Sequence, residues 1–448
     1  MLSHEDNQLL ARVGPNTPGG QVVRHYWLPF LFSAELAGPD CPPLRVRLAC
    51  EDLVAWRDTE GKLGLMQNAC PHRGASMFFG RNEEDGLRCV YHGWKFDVTG
   101  ECVDMPNEPA ESNFKHKIQA ISYPCVERNG VVWAYLGQAN PAPPLPHMEW
   151  NMVPEGHAYV SKRVQYSNWF QAMEGGIDSS HANFLHSMLN PERTAARRTD
   201  LGGGPALGFA YMAKDKHPVF ETLDEECGVV ISARRTVDSK YYWRVNHYLM
   251  PFYTLFPPSG GDPPASGHAW VPIDDETTIV FHWTYHPLRP LTENERHSLS
   301  HGQNGQDGFH PGVNSLLPAN SEPYGAWRPV QRAENDYLLD DEAQRTVRFS
   351  GIPGGWAQDS ALQETMGAIC NRPAEHLGTS DLGIIAARRF YLNVVKRYRD
   401  TSAPPPALNS PEAWYVRPAA AVLGQQEDWV SAMRSGWQAH AGTTFVTV

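Results

Sequence analysis

The sequence predicts an α+β protein of two domains: a small antiparallel β-domain, then a larger domain in which an antiparallel sheet is combined with helices. Three observations carry this reading. The chain has 448 residues, more than one hydrophobic core usually organises. Its first third is a series of short alternating strands separated by Gly, Asp and Asn turns. The remainder mixes longer strand patterns with a few helical ones, and Gly 38 and Pro 37 imply many turns.

Residues 4–38 read as an arm: a short amphipathic helix around Gln8–Val13, a Gly/Pro turn, then Tyr26-Trp27-Leu28-Pro29. The strands expected next are Arg45–Leu48, Leu53–Arg57, Leu63–Gln67, Leu87–Tyr91, Trp94–Asp97 and Val131–Leu136. The Ala/Pro-rich run Gln138–Pro146 is the linker, dividing the chain into 1–146 and 147–448. A second set follows: His157–Tyr166, Gly208–Met212, Val219–Glu221, Val229–Thr236, Tyr241–Leu249, Tyr253–Phe256, His268–Pro272 and Thr277–Tyr285. Trp169–Leu189, Leu362–Ile369 and Asp381–Arg397 read as helical. Pro257–Gly267 and Gly302–Glu322 read as mobile loops.

Composition excludes some functions. A net charge of -12 argues against nucleic-acid binding. No apolar run reaches the length of a membrane span, and the start Met1-Leu2-Ser3-His4-Glu5-Asp6 lacks a basic region followed by an apolar stretch. A cytoplasmic protein is expected. Six of the eight cysteines (Cys41, Cys50, Cys102, Cys125, Cys227, Cys370) have no paired spacing and are expected to stay reduced.

Two constellations carry chemistry. The first is Cys70-Pro71-His72, then sixteen residues, then Cys89-Val90-Tyr91-His92. Each half supplies one thiolate and one imidazole, which suits a Rieske [2Fe–2S] cluster with the cysteines on one iron and the histidines on the other. A zinc site uses the same ligand types but pairs like with like. Gly74 and Gly93 follow the histidines and allow close backbone approach. The second is Asp178-Ser179-Ser180-His181 followed by His186, with Asp359 as a distant carboxylate. Two histidines and one carboxylate suit a mononuclear non-haem Fe(II) site with positions left open for O2. Asp178 and His181 are expected on one helical face, which Glu174 extends by a turn. His186, five residues beyond His181, requires that helix to bulge or end, and Gly175-Gly176 weakens it beforehand.

The text around these sites resembles the Rieske non-haem iron aromatic ring-hydroxylating oxygenases, most closely the phthalate dioxygenase-like subgroup. The resemblance covers Arg12-Val13-Gly14-Pro15, Tyr26-Trp27-Leu28-Pro29, Ala69–Ala75, Cys89–Asp97, Asn168 through His186, Trp270–Asp275 and Glu375–Asp381. Respiratory Rieske proteins carry an extra cysteine in each ligand loop, and none is present here. The resemblance implies a helix-grip (START-like) catalytic domain. It implies Cys70, His72, Cys89 and His92 as cluster ligands and His181 and His186 as iron ligands. The third iron ligand is then Asp359, in the pattern Asp-x3-Gln-Glu; Asp336, Asp340 and Asp341 lack the following Gln-Glu. It assigns Asp178 to an electron-transfer bridge between His181 of one subunit and His92 of the next, in a homotrimer or stacked trimers. It further implies an NADH-dependent flavin/[2Fe–2S] reductase as partner and cis-dihydroxylation of an aromatic carboxylate, phthalate or a substituted benzoate, by O2. Monooxygenation or O-demethylation uses the same machinery. A Rieske electron-transfer protein would lack the second set of ligands.

A carboxylate in an apolar pocket needs a cation. Arg244 is the leading candidate, with Tyr242 and Asn246 on the same strand face. Arg244, Ser179 and Asn246 are the expected substrate contacts; Arg234, Arg235 and Lys214 are alternative cations. No second cation could be placed, which makes a monocarboxylate a competitor to phthalate.

Overall fold

The computed structural model describes residues 2–109, 111–190, 207–257, 265–302, 308–440 and 442. The β-rich first part contains three small antiparallel sheets. One joins Trp27–Phe32, Val131–Tyr135 and Cys125–Arg128. The second joins Leu44–Leu48, Glu51–Arg57 and Leu63–Gln67. The third joins Arg81–Glu83, Gly86–Arg88, Lys95–Phe96 and Cys102–Asp104. Val54, Trp56, Met66, Met77, Leu87 and Phe96 form a small core around Cys70 and Cys89. The arm and first sheet belong to a different and larger core, which Leu10, Trp27 and Trp133 share with Trp150, Trp169, Trp283 and Tyr391.

That larger core lies against an eight-stranded antiparallel sheet. Its spatial order is Ala158–Gln165, Thr278–Tyr285, Ala265–Pro272, Tyr253–Phe256, Lys240–Leu249, Gly228–Val237 and Val219–Glu225. Ala419–Gly424 adds to the first half of Lys240–Leu249, while His247, Tyr248 and Leu249 pair with Tyr253–Phe256. Alternation divides the faces. The outer face carries Val230, Trp243 and Val245 under the helix Trp429–Trp437. The inner face carries Ile231, Arg244, Asn246, Thr254, His268 and His282. The helices Trp169–Ile177 and Leu382–Thr401 pack on it: a Cβ on Gly176 would meet Thr254 Oγ1 at 2.5 Å, and one on Gly383 would meet Ile231 at 2.7 Å.

The two parts are clasped by a buried lysine. Lys162 ion-pairs with Glu35 of the arm and sits within 4.8–5.6 Å of the ring centres of Phe32, Phe281, Tyr324 and Trp327. Motifs distant in sequence also meet. Asn168 caps its helix through Phe170 N and donates to the carbonyls of Ala11 and Asp275. Asp275 in turn accepts from Arg12 and from Val13 N, both at 2.8 Å.

The structure corrects several expectations. Gly208–Met212 is not a strand but part of the helix Leu207–Lys214; a short apolar run does not separate the two, and Ala210, Met212 and Ala213 favour helix. The Gly/Pro turn of the arm contains the helix Pro18–Arg24, started by Pro18 and by Thr17 accepting from Gly20 N. Sequence reading missed Glu293–Ser300, Ala419–Gly424 and Trp429–Trp437. The helix expected at Leu362–Ile369 runs Gly355–Thr365. The loops read at Pro257–Gly267 and Gly302–Glu322 fall partly outside the described residues; the former's end begins the strand Ala265–Pro272. Among the described residues, no helix is long and apolar enough to cross a membrane, and all eight cysteines are free.

Candidate metal centres

The first centre is built from two loops with the same hydrogen bonds. Cys70 N donates to Ala75 O at 2.8 Å and Gly74 N to Cys70 O at 2.9 Å. Cys89 N donates to Trp94 O and Gly93 N to Cys89 O at the same two distances. Gly74 and Gly93 close these loops at φ of +77° and +82°, where L side chains are strained. A side chain on Gly93 would also strike Pro106 at 2.6 Å. The thiols of Cys70 and Cys89 are buried, and the rings of His72 and His92 lie 4.5 Å apart at the half-exposed rim. Trp94 stacks on His72 at 4.3 Å and fixes its plane. Burial pushes the Cys70 thiol up to about 11, so iron binding must displace its proton.

This donor set fits a two-iron cluster. Among the described residues, His181, His186 and Asp359 form the one group of three or more donors lying within 4.8 Å of one another. The four residues of the first centre do not converge that tightly, as a single tetrahedral zinc would require. A cluster that separates its thiolate end from its imidazole end suits them.

The second centre begins where a helix stops. Trp169–Ile177 ends before Asp178, whose backbone is extended, and His181–Asn183 is a separate 3-10 turn. Asp178 and His181 therefore share a post-helical turn and not a helical face. Gly175-Gly176 does not break the helix. It allows close approach, because a Cβ on Gly175 would lie 2.0 Å from Gln363. Glu174 also lies elsewhere than expected. It is buried between Arg388 and Arg372 at 2.6 and 3.3 Å, and these arginines reach Glu375 and Asn7.

Residues 187–189 are laced to 347–349 by Leu189 N to Val347 O and Phe349 N to Ser187 O, both 3.0 Å, which brings His186 to the helix Gly355–Thr365. There the Asp-x3-Gln-Glu pattern has a mechanical reason. Gln363 accepts from Gln165, and Glu364 accepts from Tyr166 N and Tyr337, fastening the helix to the end of a sheet strand. Asp359 Oδ1 lies 3.4 Å from His181 Nε2 and 3.2 Å from His186 Nε2, and the two Nε2 atoms are 3.1 Å apart. Asp340, by contrast, caps a separate helix.

The protons show what this triangle wants. His186 Nδ1 faces Gln358 Oε1 at 2.6 Å and His181 Nδ1 faces Asp178 Oδ2 at 3.2 Å, so each Nδ1 carries the hydrogen. Both Nε2 lone pairs and a carboxylate oxygen then point at one spot, and a cation resolves that convergence. Three ligands at right angles, each about 2.1 Å from an ion, stand about 3 Å apart, which matches the triangle. Without an ion, burial works against a charged His181, but its hydrogen bonds to Asp178 and Asp359 overcome this and raise it to about 10. Burial likewise opposes the Asp359 carboxylate, yet His186 and His181 hold it well below the usual range.

Beside this turn lies a polar stripe. Ser179 does not offer a free hydroxyl: its carbonyl and Oγ accept from Arg235 at 2.8 and 3.4 Å, and Arg235 also reaches Asn183 at 3.5 Å. Arg234 faces the outer side on Tyr241 and Trp243, and Lys214 pairs with exposed Asp238. Arg244 is buried, with Nη2 at 3.4 Å from Pro257 O. Its Nε and Nη1, with Tyr242 Oη and Asn246 Oδ1, have no hydrogen-bond partner among the described residues.

Comparison with known proteins agrees. Residues 26–124 match the Rieske [2Fe-2S] domain and residues 134–442 the LigXa C-terminal domain like family. The chain is 36% identical over 441 residues to the 3-chlorobenzoate-3,4-dioxygenase oxygenase subunit of Comamonas testosteroni, covering 96% of this chain and 98% of that one. It is 36% identical over 409 residues to the phthalate 4,5-dioxygenase oxygenase subunit of Pseudomonas putida, covering 89% and 87%. Among solved structures, the oxygenase in the reduced oxygenase–ferredoxin complex of carbazole 1,9a-dioxygenase shares the fold, with a TM-score of 0.53 at 18% identity, covering 86% of this chain and 90% of that one. The chain therefore belongs to the Rieske non-haem iron ring-hydroxylating oxygenases, as an oxygenase component of the phthalate dioxygenase-like subgroup.

Proposed function

We propose that this oxygenase acts on an aromatic monocarboxylate of the substituted-benzoate type, which Arg244 holds over the second centre. The observation that carries the reading is the buried Arg244 guanidinium with two unpartnered nitrogens, beside unpartnered Tyr242 and Asn246. Buried donors without partners are costly, and a carboxylate satisfies them in bidentate fashion. Arg235 is engaged by Ser179 and Asn183 with only its Nε unpartnered, so among the described residues Arg244 is the arginine of the stripe with two nitrogens left for a ligand, which favours one carboxylate over two.

Cys70, His72, Cys89 and His92 hold the [2Fe–2S] cluster, and His181, His186 and Asp359 hold the mononuclear iron. The cluster supplies single electrons, and the iron supplies the site of O2 chemistry. Gln358 and Asp178 fix the tautomers of His186 and His181, keeping both Nε2 atoms available. The product expected is a cis-dihydrodiol, identified by both atoms of isotopic O2 appearing in it. Electrons come from a reductase or ferredoxin partner.

A homotrimer is supported by the exposed Val90 and Tyr91 beside His92, apolar surface that a second copy would cover. Asp178 then bridges His181 to His92 of the partner subunit. Asp178→Asn should keep three irons per chain while single-turnover oxidation of the cluster collapses; wild-type oxidation rates would remove the bridge.

The deciding experiment compares an acid with its amide. Arg244→Ala should lower kcat/KM for benzoates by about two to four orders of magnitude, since stranding one charge of a buried pair costs about 3–5 kcal/mol. The amide should be a poor substrate of both proteins, and the cluster spectrum should not change. An acid-to-amide ratio equal in wild type and Arg244→Ala rejects the reading.

A further inference from the structure

We infer that His268 is a substrate-contacting specificity residue that hydrogen-bonds a phenolic hydroxyl on the ring edge away from the carboxylate, an inference that rests on the Arg244 reading for its orientation. His268 is buried, and its Nδ1 has no hydrogen-bond partner among the described residues. Its other nitrogen, Nε2, is taken by His282 Nδ1 at 2.6 Å, so the ring is held with Nδ1 turned away from that partner. Burial and the nearby Arg163 keep His268 neutral, pushed down to about 3, and burial keeps His282 neutral as well. Two neutral rings share one proton across that bond, so Nδ1 is a donor in one tautomer and an acceptor in the other. A hydroxyl satisfies either; an ether oxygen or a halogen satisfies one at most.

The surroundings suit an aromatic ring. Phe256 stacks on His268 at 5.4 Å, Trp270 lies at 4.7 Å, and Phe309 stands edge-on at 6.2 Å. Phe309 also touches the iron triangle, 5.4 Å from the His186 ring. The wall is therefore continuous from the second centre to His268. Strand register puts His268 opposite Thr254, which is opposite Tyr248. Two and four residues along that strand, on the same face, come Asn246 and Arg244. Arg244 and His268 thus share the inner face on different strands, as anchors for two ends of one ring. Packing alone does not account for a fixed imidazole with a buried, empty nitrogen; an apolar side chain would fill the same space without it.

The test is calorimetric binding to the holoenzyme of benzoate, 3-hydroxybenzoate and 4-hydroxybenzoate, and of the neutral pair phenol and toluene. Wild type should bind one hydroxybenzoate about tenfold more tightly than benzoate, and phenol more tightly than toluene. His268→Phe, which keeps the ring contacts, should level both preferences and leave benzoate within about twofold. His268→Leu serves should the phenyl ring overpack the site. A hydroxyl preference that persists in a folded variant, or is absent from wild type, overturns the proposal. If benzoate does not bind, the carboxylate reading fails, while phenol against toluene still reports on His268.

Discussion

The two metal centres make opposite demands on the chain. The first gathers its four proposed ligands from two loops within 23 residues, inside its own small core of Val54, Trp56, Met66 and their neighbours. The second draws on a turn at residues 178–186 and on Asp359, held together by helices packed on the large sheet. A site that is local in sequence needs only its loops to be right. A site spread over the chain needs the core, the register of the sheet and the close approach at Gly175 and Gly176 all at once. Damage to packing should therefore reach the second centre before the first.

Removing ligands gives the largest effect. Cys70→Ala should lose the cluster's visible and EPR signature and all turnover. His186→Ala should keep that signature, drop iron content from three to about two per chain, and also lose turnover. Iron content and spectrum, measured on the same sample, check both. Equal loss of both metals in either variant would mean the centres are not independent.

The same contrast explains what was legible in the sequence. The first centre could be read from spacing, because its geometry is a property of two short loops. Most strands of both domains were read within two or three residues, because half-buried strands alternate. Asp359 could be separated from Asp336, Asp340 and Asp341 only through the Asp-x3-Gln-Glu pattern. What makes that pattern matter, Gln363 on Gln165 and Glu364 on Tyr166 N, lies almost two hundred residues away in sequence. Glu174 and Gly175-Gly176 were misread for the same reason. A buried ion-pair network and a helix pressed against Gln363 and Thr254 are tertiary facts with no local signature. His268 gave no signal at all, since a lone histidine in a strand is ordinary until its empty nitrogen is seen.

Glu174 offers the next test, smaller and aimed at packing. Glu174→Gln removes the carboxylate that Arg388 and Arg372 share, leaving Arg388 with Glu375 but Arg372 with the neutral Asn7, and a buried charge left without its counter-charge costs about 3–5 kcal/mol. Thermal unfolding should fall by several degrees. Folded protein should still hold its full iron, because Glu174 is not beside the triangle. Iron lost from protein of unchanged melting temperature would return Glu174 to the metal centre.

The smallest expected effect lies at the clasp between the two parts. Lys162 is fully buried; burial lowers it and the Glu35 ion pair raises it, leaving it lowered to about 8. Because this is below the unfolded value of about 10.5, the unfolded chain binds more protons between those pH values, and folding becomes more favourable as pH rises. Below about pH 8 the folded protein carries the full cost of the buried charge. Wild-type stability relative to Lys162→Met should therefore be constant below about pH 8 and improve by about 1.4 kcal/mol per pH unit up to roughly 10.5. Comparing the two proteins at each pH removes the tyrosines and other groups they share. Denaturation of both across pH 7 to about 10 is the measurement, kept to conditions where unfolding is reversible. A flat difference would mean that Glu35 and the four surrounding rings hold Lys162 charged throughout, making the clasp an ion pair at every pH tested.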